Sequence, residues 1–237
     1  MPKKQFLRYL REINIEIIGL KQATDKLNHG YLPYYDAHFA TLRKKTLNLL
    51  EIGIGGYEDP KAGGASLRLW QDYFKSGHIY GLDINDKFFH EDTRIKVFQG
   101  SQNDPTFLKE VVSKIGNIDI IIDDGSHVNE HIITSFKTLF PYLSQDGIYV
   151  IEDINTSYFP SYGGSFTDLL SESTAIGMVK NLIDSLNYQY IASRTPTISD
   201  GHIVSIHCYP KIVFIQKGQN KDILSSHEVE MMECAIE

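Results

Sequence analysis

The sequence predicts an α/β fold with a doubly wound, mostly parallel sheet and a C-terminal antiparallel hairpin. From residue 47 onward, short apolar runs alternate with segments of helical periodicity, a pattern typical of parallel strands covered by helices. Near the C-terminus, the β-like runs Ile203–His207 and Ile212–Gln216 follow each other closely, which predicts a hairpin. We expect an N-terminal helix and aromatic loop over residues 1–45, the sheet domain over 46–217 and a tail over 218–237.

Length and composition argue against several classes of protein. The chain has 237 residues, which suits one ordinary α/β domain. It carries 23 Lys and Arg against 30 Asp and Glu, a net charge of −7, which argues against nucleic-acid and anionic-membrane partners. Its apolar stretches fall far short of the ~20 residues of a membrane helix, and we see no secretory signal pattern. Because the only cysteines are Cys208 and Cys234, we expect a reduced, cytoplasmic protein.

The N-terminal segment is predicted to form one helix and one loop. The helix is predicted over residues 5–20, where apolar side chains recur at spacings of three and four: Phe6, Leu10, Ile13, Ile17 and Leu20. The stretch over 29–35 is rich in aromatic rings and contains Gly30 and Pro33, which break helices, so we expect an ordered loop there.

The remaining elements follow in chain order. The predicted parallel strands are Leu47–Ile52, Ile79–Ile84, Ile95–Phe98, Ile118–Ile122 and Ile148–Ile151. The predicted helices are Ser66–Phe74, Asp104–Ile115, Val128–Leu143 and Phe166–Leu186. We expect the third of these helices to end before a turn at 145–147, and the tail over 218–237 to be a frayed helix or disordered.

A glycine-rich turn after the first strand predicts a nucleotide-like cofactor. Glu51 ends the strand, and Gly53 and Gly55 let a ligand approach bare backbone. The dinucleotide motif G-x-G-x-x-G would need a third glycine where Glu58 stands, so a pyrophosphate would meet a carboxylate. The pattern E-x-G-x-G resembles instead the first motif of class I methyltransferases, whose ligand S-adenosylmethionine carries no phosphate.

Polar residues at the next two strand ends fit the same ligand. Asp83 ends the second strand, where a carboxylate can accept both hydroxyls of a ribose. Ser101 and Gln102 follow the third strand and are suited to hold the edge of an adenine. The alternative is that these residues only form tight turns.

Acids and a histidine gather at the ends of the fourth and fifth strands. Asp123, Asp124 and His127 follow one strand, and Glu152 and Asp153 follow the other. Neighbouring strands lie about 4.8 Å apart, so these carboxylates would repel one another unless a hard divalent cation such as Mg²⁺ joined them. The alternatives are solvated strand ends and a merely exposed or capping histidine.

Side-chain alternation separates the roles of the two aspartates without assigning them. Asp123 and Asp124 cannot both face the same way, so we expect one of them to serve the cofactor side. His127 has two open roles. A nitrogen ligand would favour zinc or iron, whereas a majority of carboxylates favours Mg²⁺ and leaves His127 as a general base.

The joint occurrence of these motifs resembles the metal-dependent sugar O-methyltransferases of macrolide biosynthesis. The matching runs cover residues 50–60, 63–68, 79–84, 121–127 and 150–153, and the resemblance extends from about His29 to about Lys217. It implies the class I methyltransferase fold, with Asp124, Glu152 and Asp153 as metal ligands and Asp124 and His127 in catalysis. It places S-adenosylmethionine among Glu51, Gly53, Gly55, Asp83, Ser101, Gln102 and, more weakly, Asp123.

The resemblance implies methyl transfer from S-adenosylmethionine to a sugar hydroxyl. Mg²⁺ would position the acceptor diol, and His127 would take the proton. The acceptor would be a nucleotide-linked sugar, a polysaccharide or a glycosylated natural product. Tyr31, Tyr158 and Tyr162, with their aromatic neighbours, would close over the sugar, or else belong to the core or to a subunit contact.

Three rival functions stay open on the sequence. The first is a methyltransferase for catechols or other phenols, which also pairs a divalent ion with vicinal oxygens. The second is a metal-dependent oxygenase in which His127 ligates iron. The third is an adenosyl-ligand sensor without catalysis. The number of subunits is open as well, a homo-oligomer included.

Overall fold

The computed structural model describes residues 14–191, 195 and 197–220. The predicted helix over 5–20 is therefore seen from residue 14 onward, and residues 221–237 of the predicted tail lie outside the described residues. None of the described helices is long and apolar enough to cross a membrane.

Over the part of the chain that the structure describes, the sheet has seven strands, and it confirms the predicted fold class. The strands are β1 (Asn48–Ile52), β2 (His78–Asp83), β3 (Ile95–Gln99), β4 (Ile118–Asp123), β5 (Leu143–Ile151), β6 (Ile203–Tyr209) and β7 (Ile212–Lys217). Their order is β3-β2-β1-β4-β5-β7-β6. The first five pair in parallel, whereas β7 pairs antiparallel with both β5 and β6, as the predicted hairpin requires. The carboxyl ends of β1, β4 and β5 consequently meet at one edge of the sheet.

Helices cover both faces of the sheet. They are α1 (Ile15–Gln22), α2 (Asp25–Asn28), α3 (Leu32–Phe39), α4 (Ala65–Tyr73), α5 (Pro105–Ile115), α6 (Asn129–Leu139) and α7 (Ala175–Leu186). Side chains alternate along each strand, so each face has its own apolar cluster. On one face Leu50 and Ile121 pack among residues of α5, α6 and α7. On the other face Leu49 and Ile120 pack among residues of α1, α3 and α4.

The predicted loop over 29–35 is wrong in its second half, where α3 begins at Leu32. Pro33 lies in the first turn of that helix, where a missing backbone N–H costs nothing because no helical carbonyl precedes it. Leu32, Tyr35 and Phe39 are spaced by three and four residues and are fully buried. Pro33 is therefore compatible with α3, Gly30 lies before it, and burial of the apolar face stabilises the helix.

Two further boundaries differ from the sequence prediction. The helix predicted over 166–186 begins only at Ala175, after Thr174 caps it by accepting a hydrogen bond from Gly177 N. The helix predicted over 128–143 ends at Leu139 and is followed by a 3₁₀ turn, Phe140–Tyr142. The expected turn at 145–147 lies inside β5, where Asp146 has a φ of +64° and the β4 register shifts. A bulge therefore replaces the turn.

Candidate active site

The glycine-rich turn after β1 packs directly against the end of β4. Gly53 has a φ of +91°, and a Cβ on it would lie 2.0 Å from the carbonyl oxygen of Asp124. Its N–H donates to the carbonyl of Leu82 at 2.8 Å. Only glycine fits at position 53, because the backbone there has a positive φ and because a Cβ would collide with the end of β4. Gly55 lies in the same turn with a φ of +75°.

Asp83 at the end of β2 holds this turn in place. One carboxylate oxygen accepts the Ile54 N–H and the other accepts the Asn85 N–H, both at 2.9 Å. At the end of β3, Ser101 Oγ accepts the Asn103 N–H at 3.1 Å. The predicted cofactor residues Glu51, Gly53, Gly55, Asp83, Ser101 and Gln102 thus lie in or after three adjacent strands, β1, β2 and β3. Their contact with a cofactor stays a prediction.

Asp123 and Asp124 face opposite ways, as the alternation requires. Asp123 is buried and accepts hydrogen bonds from Gln102 Nε2 at 3.0 Å and from the Ser135 hydroxyl of α6. Gln102 Oε1 in turn accepts the Ser126 N–H at 2.7 Å. Burial raises the pKa of Asp123 to about 6, although Ser135 and Gln102 oppose the shift. Asp123 therefore connects the end of β4 with α6 and with the end of β3, and its side chain lies on the face of the sheet opposite to Asp124.

Asp124 belongs to a buried cluster centred on Lys26, a residue of α2. The Lys26 ammonium nitrogen lies 2.7 Å from Asp124 Oδ2, 2.5 Å from Glu152 Oε1 and 3.1 Å from Glu51 Oε1. Lys26, Glu51 and Glu152 are almost completely buried. The ends of β1, β4 and β5 each supply one carboxylate, so one ammonium joins all three strands.

The cluster carries surplus negative charge. Burial lowers the pKa of Lys26, but the charges of Asp124, Glu152 and Glu51 outweigh it and hold that pKa well above its usual value. Burial and the charge of Asp124 raise the pKa of Glu152 well above its usual value, against the opposing influence of Lys26. Burial also raises the pKa of Glu51. One ammonium thus compensates three carboxylates only in part.

Two tyrosines from the same N-terminal segment bind two of the acids. The Tyr31 hydroxyl donates to Asp153 Oδ1, and the Tyr35 hydroxyl donates to Glu152 Oε1. Both tyrosines are buried, Tyr35 against Trp70 and Phe214. Both rings are thus part of the core and both hydroxyls already have partners, which agrees with the core alternative; contact of Tyr31 with a sugar stays a prediction.

His127 and Asp153 form the exposed side of the site. Their side chains are 26% and 23% exposed, and His127 Nε2 lies 3.9 Å from Asp153 Oδ2. Both residues have left-handed backbone, with φ values of +58° and +47°, which costs energy in non-glycine residues. Thr156 supports them, because its hydroxyl lies 3.0 Å from both the His127 carbonyl and the Asp153 carbonyl.

Among the described residues, the groups of side chains that could hold an ion are two, and both contain Asp124. In one, ligand atoms of Asp124, His127 and Asp153 lie within 4.8 Å of one another. In the other, those of Glu51, Asp124 and Glu152 do so. The predicted ligands Asp124, Glu152 and Asp153 are thus divided between a partly exposed group and the buried one around Lys26.

Tyr158 and Tyr162 lie on two short 3₁₀ helices that directly follow Asp153, Ile154–Tyr158 and Pro160–Tyr162. Tyr158 is 38% exposed. Asn129 of α6 anchors this segment, donating to the Tyr162 carbonyl at 2.9 Å and accepting from the Ser157 hydroxyl at 2.8 Å. Both tyrosines therefore follow the acids closely, but their contact with a sugar stays a prediction.

Sequence reasoning missed Lys26, Ser135 and Thr156. Lys26 lies in a polar four-residue helix, where a lysine is ordinarily solvated, and the acids it binds are 25 to 126 residues away in the chain. A possible signal is the neighbouring Tyr31 and Tyr35, which bind the same group of acids. For Ser135 and Thr156, no pattern in the chain marks their partners.

Comparison with known proteins shows extensive similarity to sugar O-methyltransferases, although no family model matches the chain. The chain is 47% identical over 197 residues to demethylmacrocin O-methyltransferase of Streptomyces fradiae, covering 82% of this chain and 50% of that protein. It is 44% identical over 197 residues to mycinamicin VI 2''-O-methyltransferase of Micromonospora griseorubida, covering 82% and 49%. The chain thus spans about half the length of these curated relatives.

Solved structures agree with the sequence comparison. The MycE methyltransferase of mycinamycin biosynthesis, in complex with Mg, SAH and mycinamycin VI, matches with a TM-score of 0.83 and 40% identity. That match covers 90% of this chain and 57% of MycE. A second MycE structure, with Mg and SAH, matches with a TM-score of 0.87. Over the shared residues, the chain has the class I methyltransferase fold and is a relative of these sugar O-methyltransferases.

Proposed function

We propose that the chain transfers the methyl group of S-adenosylmethionine to a hydroxyl of a sugar on a glycosylated small molecule. The observation that carries this proposal is the juxtaposition of the glycine turn, the strand-end acids and His127 at one sheet edge. The relatives support it, because they are named for O-methylation and MycE binds Mg and SAH. The cytoplasmic location and a homo-oligomeric state stay predictions.

The donor would occupy the glycine turn. Oε1 of the buried Glu51 carboxylate lies 3.1 Å from the Lys26 nitrogen, whereas Oε2 accepts no well-aligned hydrogen bond from the described residues and is suited to face the cationic end of the donor. Asp83, Ser101 and Gln102 lie at the neighbouring strand ends, where they would bind the ribose and adenine. The Asp83 carboxylate is held in place for contact with the ribose, because it already accepts hydrogen bonds from two backbone N–H groups.

A divalent cation fits the donor set beside it. One oxygen of each predicted ligand is fixed by the N-terminal segment: Asp124 Oδ2 by Lys26, Glu152 Oε1 by Lys26 and Tyr35, and Asp153 Oδ1 by Tyr31. The second oxygen of each carboxylate remains for an ion, and oxygen ligands suit Mg²⁺. When bound, Mg²⁺ would lower the pKa of the acceptor hydroxyl and orient the diol.

The chain's own residues would handle the proton. The acceptor oxygen attacks the methyl carbon in line with sulfur, so an O–C bond forms as the S–C bond breaks. His127 would accept the hydroxyl proton, since its ring is partly exposed next to Asp153. Thr156 would keep His127 and Asp153 in their left-handed conformations. Tyr158 and Tyr162 would exclude water from the sugar.

Methyl-labelled S-adenosylmethionine tests this function. We expect label in sugar acceptors, such as a glycosylated polyketide, but not in catechol, and only with a divalent ion. His127→Ala should lower kcat by about 10²–10⁴ while donor affinity is retained. Asp124→Ala should lose both activity and its dependence on the ion. His78→Ala, at the exposed start of β2 on the opposite sheet edge, is the control and should retain activity.

Other outcomes of this assay would contradict the proposal. Label in catechol but in no sugar would favour the phenol methyltransferase. Oxygen consumption with iron, without methyl transfer, would favour the oxygenase, in which the group of Asp124, His127 and Asp153 would hold the metal. Donor binding with no transfer to any acceptor would favour the sensor.

A further inference from the structure

Lys26 is an unusual constituent of an ion-binding site, because it places a permanent positive charge among acids that could hold a metal. Glu51, Asp124 and Glu152 form a group whose ligand atoms lie within 4.8 Å of one another. The Lys26 nitrogen is 2.5–3.1 Å from an oxygen of each of them. An ammonium has three N–H donors and no acceptor, and three carboxylates face it.

The geometry excludes a role of Lys26 in direct contact with substrate or cofactor. Its side chain is 1% exposed, its nitrogen donates to Asp124 Oδ2 and Glu152 Oε1, and Glu51 Oε1 lies 3.1 Å away on a third side. Proton transfer to or from a substrate would need an open path to the nitrogen, and burial closes it. Lys26 is therefore a positioning residue.

Lys26 and a metal ion could not share the buried group. Mg²⁺ would need oxygens at about 2.0–2.1 Å, in the space where the ammonium nitrogen already lies 2.5–3.1 Å from the same oxygens. Asp124 also belongs to the second group, with His127 and Asp153, which lies on the exposed side of the site. Asp124 and Asp153 are partly exposed on that side, so the ion of the proposed function would enter there and bind the second oxygens of Asp124, Glu152 and Asp153, with His127 beside it as the base.

We propose that the Lys26 ammonium is a built-in cation that takes the place of a second divalent ion, so that the cluster binds one ion where its carboxylates could bind two. This rests on the proposed function only in assuming that Asp124, Glu152 and Asp153 bind one divalent ion through their second oxygens. Four carboxylates, those of Glu51, Asp124, Glu152 and Asp153, are balanced in part by one ammonium. The remaining charge is available for one divalent ion.

The experiment counts Mn²⁺ ions bound to the purified chain without donor or acceptor, by the electron paramagnetic resonance signal of free Mn²⁺. We expect one ion per chain in the wild type and two in Lys26→Ala, in which three carboxylates and the vacated volume are exposed to the second ion. Lys26→Arg retains the positive charge and should bind one Mn²⁺ ion per chain. Lys217→Met is the control, because Lys217 is also buried but donates to three backbone carbonyls rather than to acids. This variant should bind one Mn²⁺ ion per chain.

If Lys26→Ala is unstable, its melting temperature with and without Mn²⁺ tests the same inference. Without a divalent ion this variant should melt below the wild type, and Mn²⁺ should reduce the difference, because the second ion restores the lost charge. Lys217→Met should melt lower than the wild type by the same amount with and without Mn²⁺. One ion in Lys26→Ala, or failure to fold at any Mn²⁺ concentration, would overturn the inference. No Mn²⁺ bound by the wild type would instead contradict the metal in the proposed function.

Discussion

At the scale of single residues, the site depends on side chains that hold other side chains in place. Lys26, Tyr31 and Tyr35 bind the acids, whereas Gln102 and Ser135 bind Asp123 on the other side of β4. Asp123, Asp124, Glu152 and Asp153 therefore each have their direction fixed by a hydrogen-bond donor. Such fixed geometry is what a site for an ion and a reacting hydroxyl requires.

Thr156 provides a test of backbone support. Thr156→Val keeps the shape of the side chain but removes its hydrogen bonds to the carbonyls of His127 and Asp153. We expect a loss of about 1–2 kcal/mol in unfolding free energy and a fall in kcat of about tenfold or more, with donor affinity unchanged. Denaturant unfolding and methyl-transfer kinetics measure the two effects.

Thr174→Val is the matched control. Thr174 is also buried, and its hydroxyl bonds Ser171 O and Gly177 N at the start of α7. It should lose similar stability and keep its kcat. An equal loss of kcat in both variants would contradict the special role of Thr156.

His38 gives the protein a dependence of stability on pH. Burial, assisted by His207, lowers the pKa of His38, whose ring stacks on Phe214 and lies 3.1 Å from the Tyr209 hydroxyl. A lowered folded-state pKa means that the stabilisation is present above the unfolded value near 6.5 and is lost as pH falls through the folded value. His38→Phe should therefore lose less stability than the wild type between pH 7 and pH 5. Urea unfolding at several pH values between 7 and 5 measures the free energy of unfolding of both proteins. An equal loss of stability in the variant and the wild type would contradict the prediction.

At the scale of elements, one short stretch of chain completes the candidate site. The helices α2 and α3, with the residues between them, bring Lys26, Tyr31 and Tyr35 to the carboxyl edge of the sheet. The left-handed Gly30, with a φ of +73°, turns the chain from one helix to the next. The apolar side of α3 then fixes this segment on the sheet.

A second connection joins α6, the segment after Asp153 and α7. Asn129 donates to the Tyr162 carbonyl and accepts from the Ser157 hydroxyl and the Ala175 N–H. Asn129→Ala should lower the free energy of local opening of residues 157–175 by about 1–2 kcal/mol. The open state of that segment would then be about 5–30 times more populated. Amide hydrogen exchange in that segment measures the change. Asn48→Ala, which loses only an exposed bond to Asn117 O, should leave the exchange unchanged; faster exchange there as well would contradict the prediction.

At the scale of the whole molecule, the N-terminal helices and the C-terminal hairpin share one core. Phe214 of β7 contacts Tyr35, Phe39 and His38 of α3, so the two ends of the described chain stabilise each other. The same contacts hold Tyr35 against Glu152. Stability and site geometry therefore depend on the same packing.

Phe214→Ala tests this shared core. Removing a fully buried ring should cost about 3–5 kcal/mol, and α3 should lose its support together with the hairpin. A single cooperative unfolding transition at lower denaturant, seen by both circular dichroism and tyrosine fluorescence, is expected. Phe166→Ala, where the ring is 69% exposed, should change stability by less than about 0.5 kcal/mol. Separate transitions for helix and sheet signals would contradict the shared core.

The sequence by itself determined the approximate positions of the strands, the parallel character of the sheet, and the acids and glycines at the strand ends. These features are local: an apolar run, a period and a turn residue are each visible within a few positions. It also predicted that Asp123 and Asp124 face apart, because that follows from strand geometry alone.

Only the tertiary structure decided what neutralises the acids and which tyrosines are core. Lys26 lies in a polar stretch without periodicity, and its ion pairs reach as far as Glu152, so no local pattern predicts them. Pro33 predicted a break, but it lies in the first turn of α3, where proline is tolerated, and the burial of Leu32, Tyr35 and Phe39 stabilises the helix. Long-range charge and packing energies are set by the fold, and short stretches of sequence do not contain them.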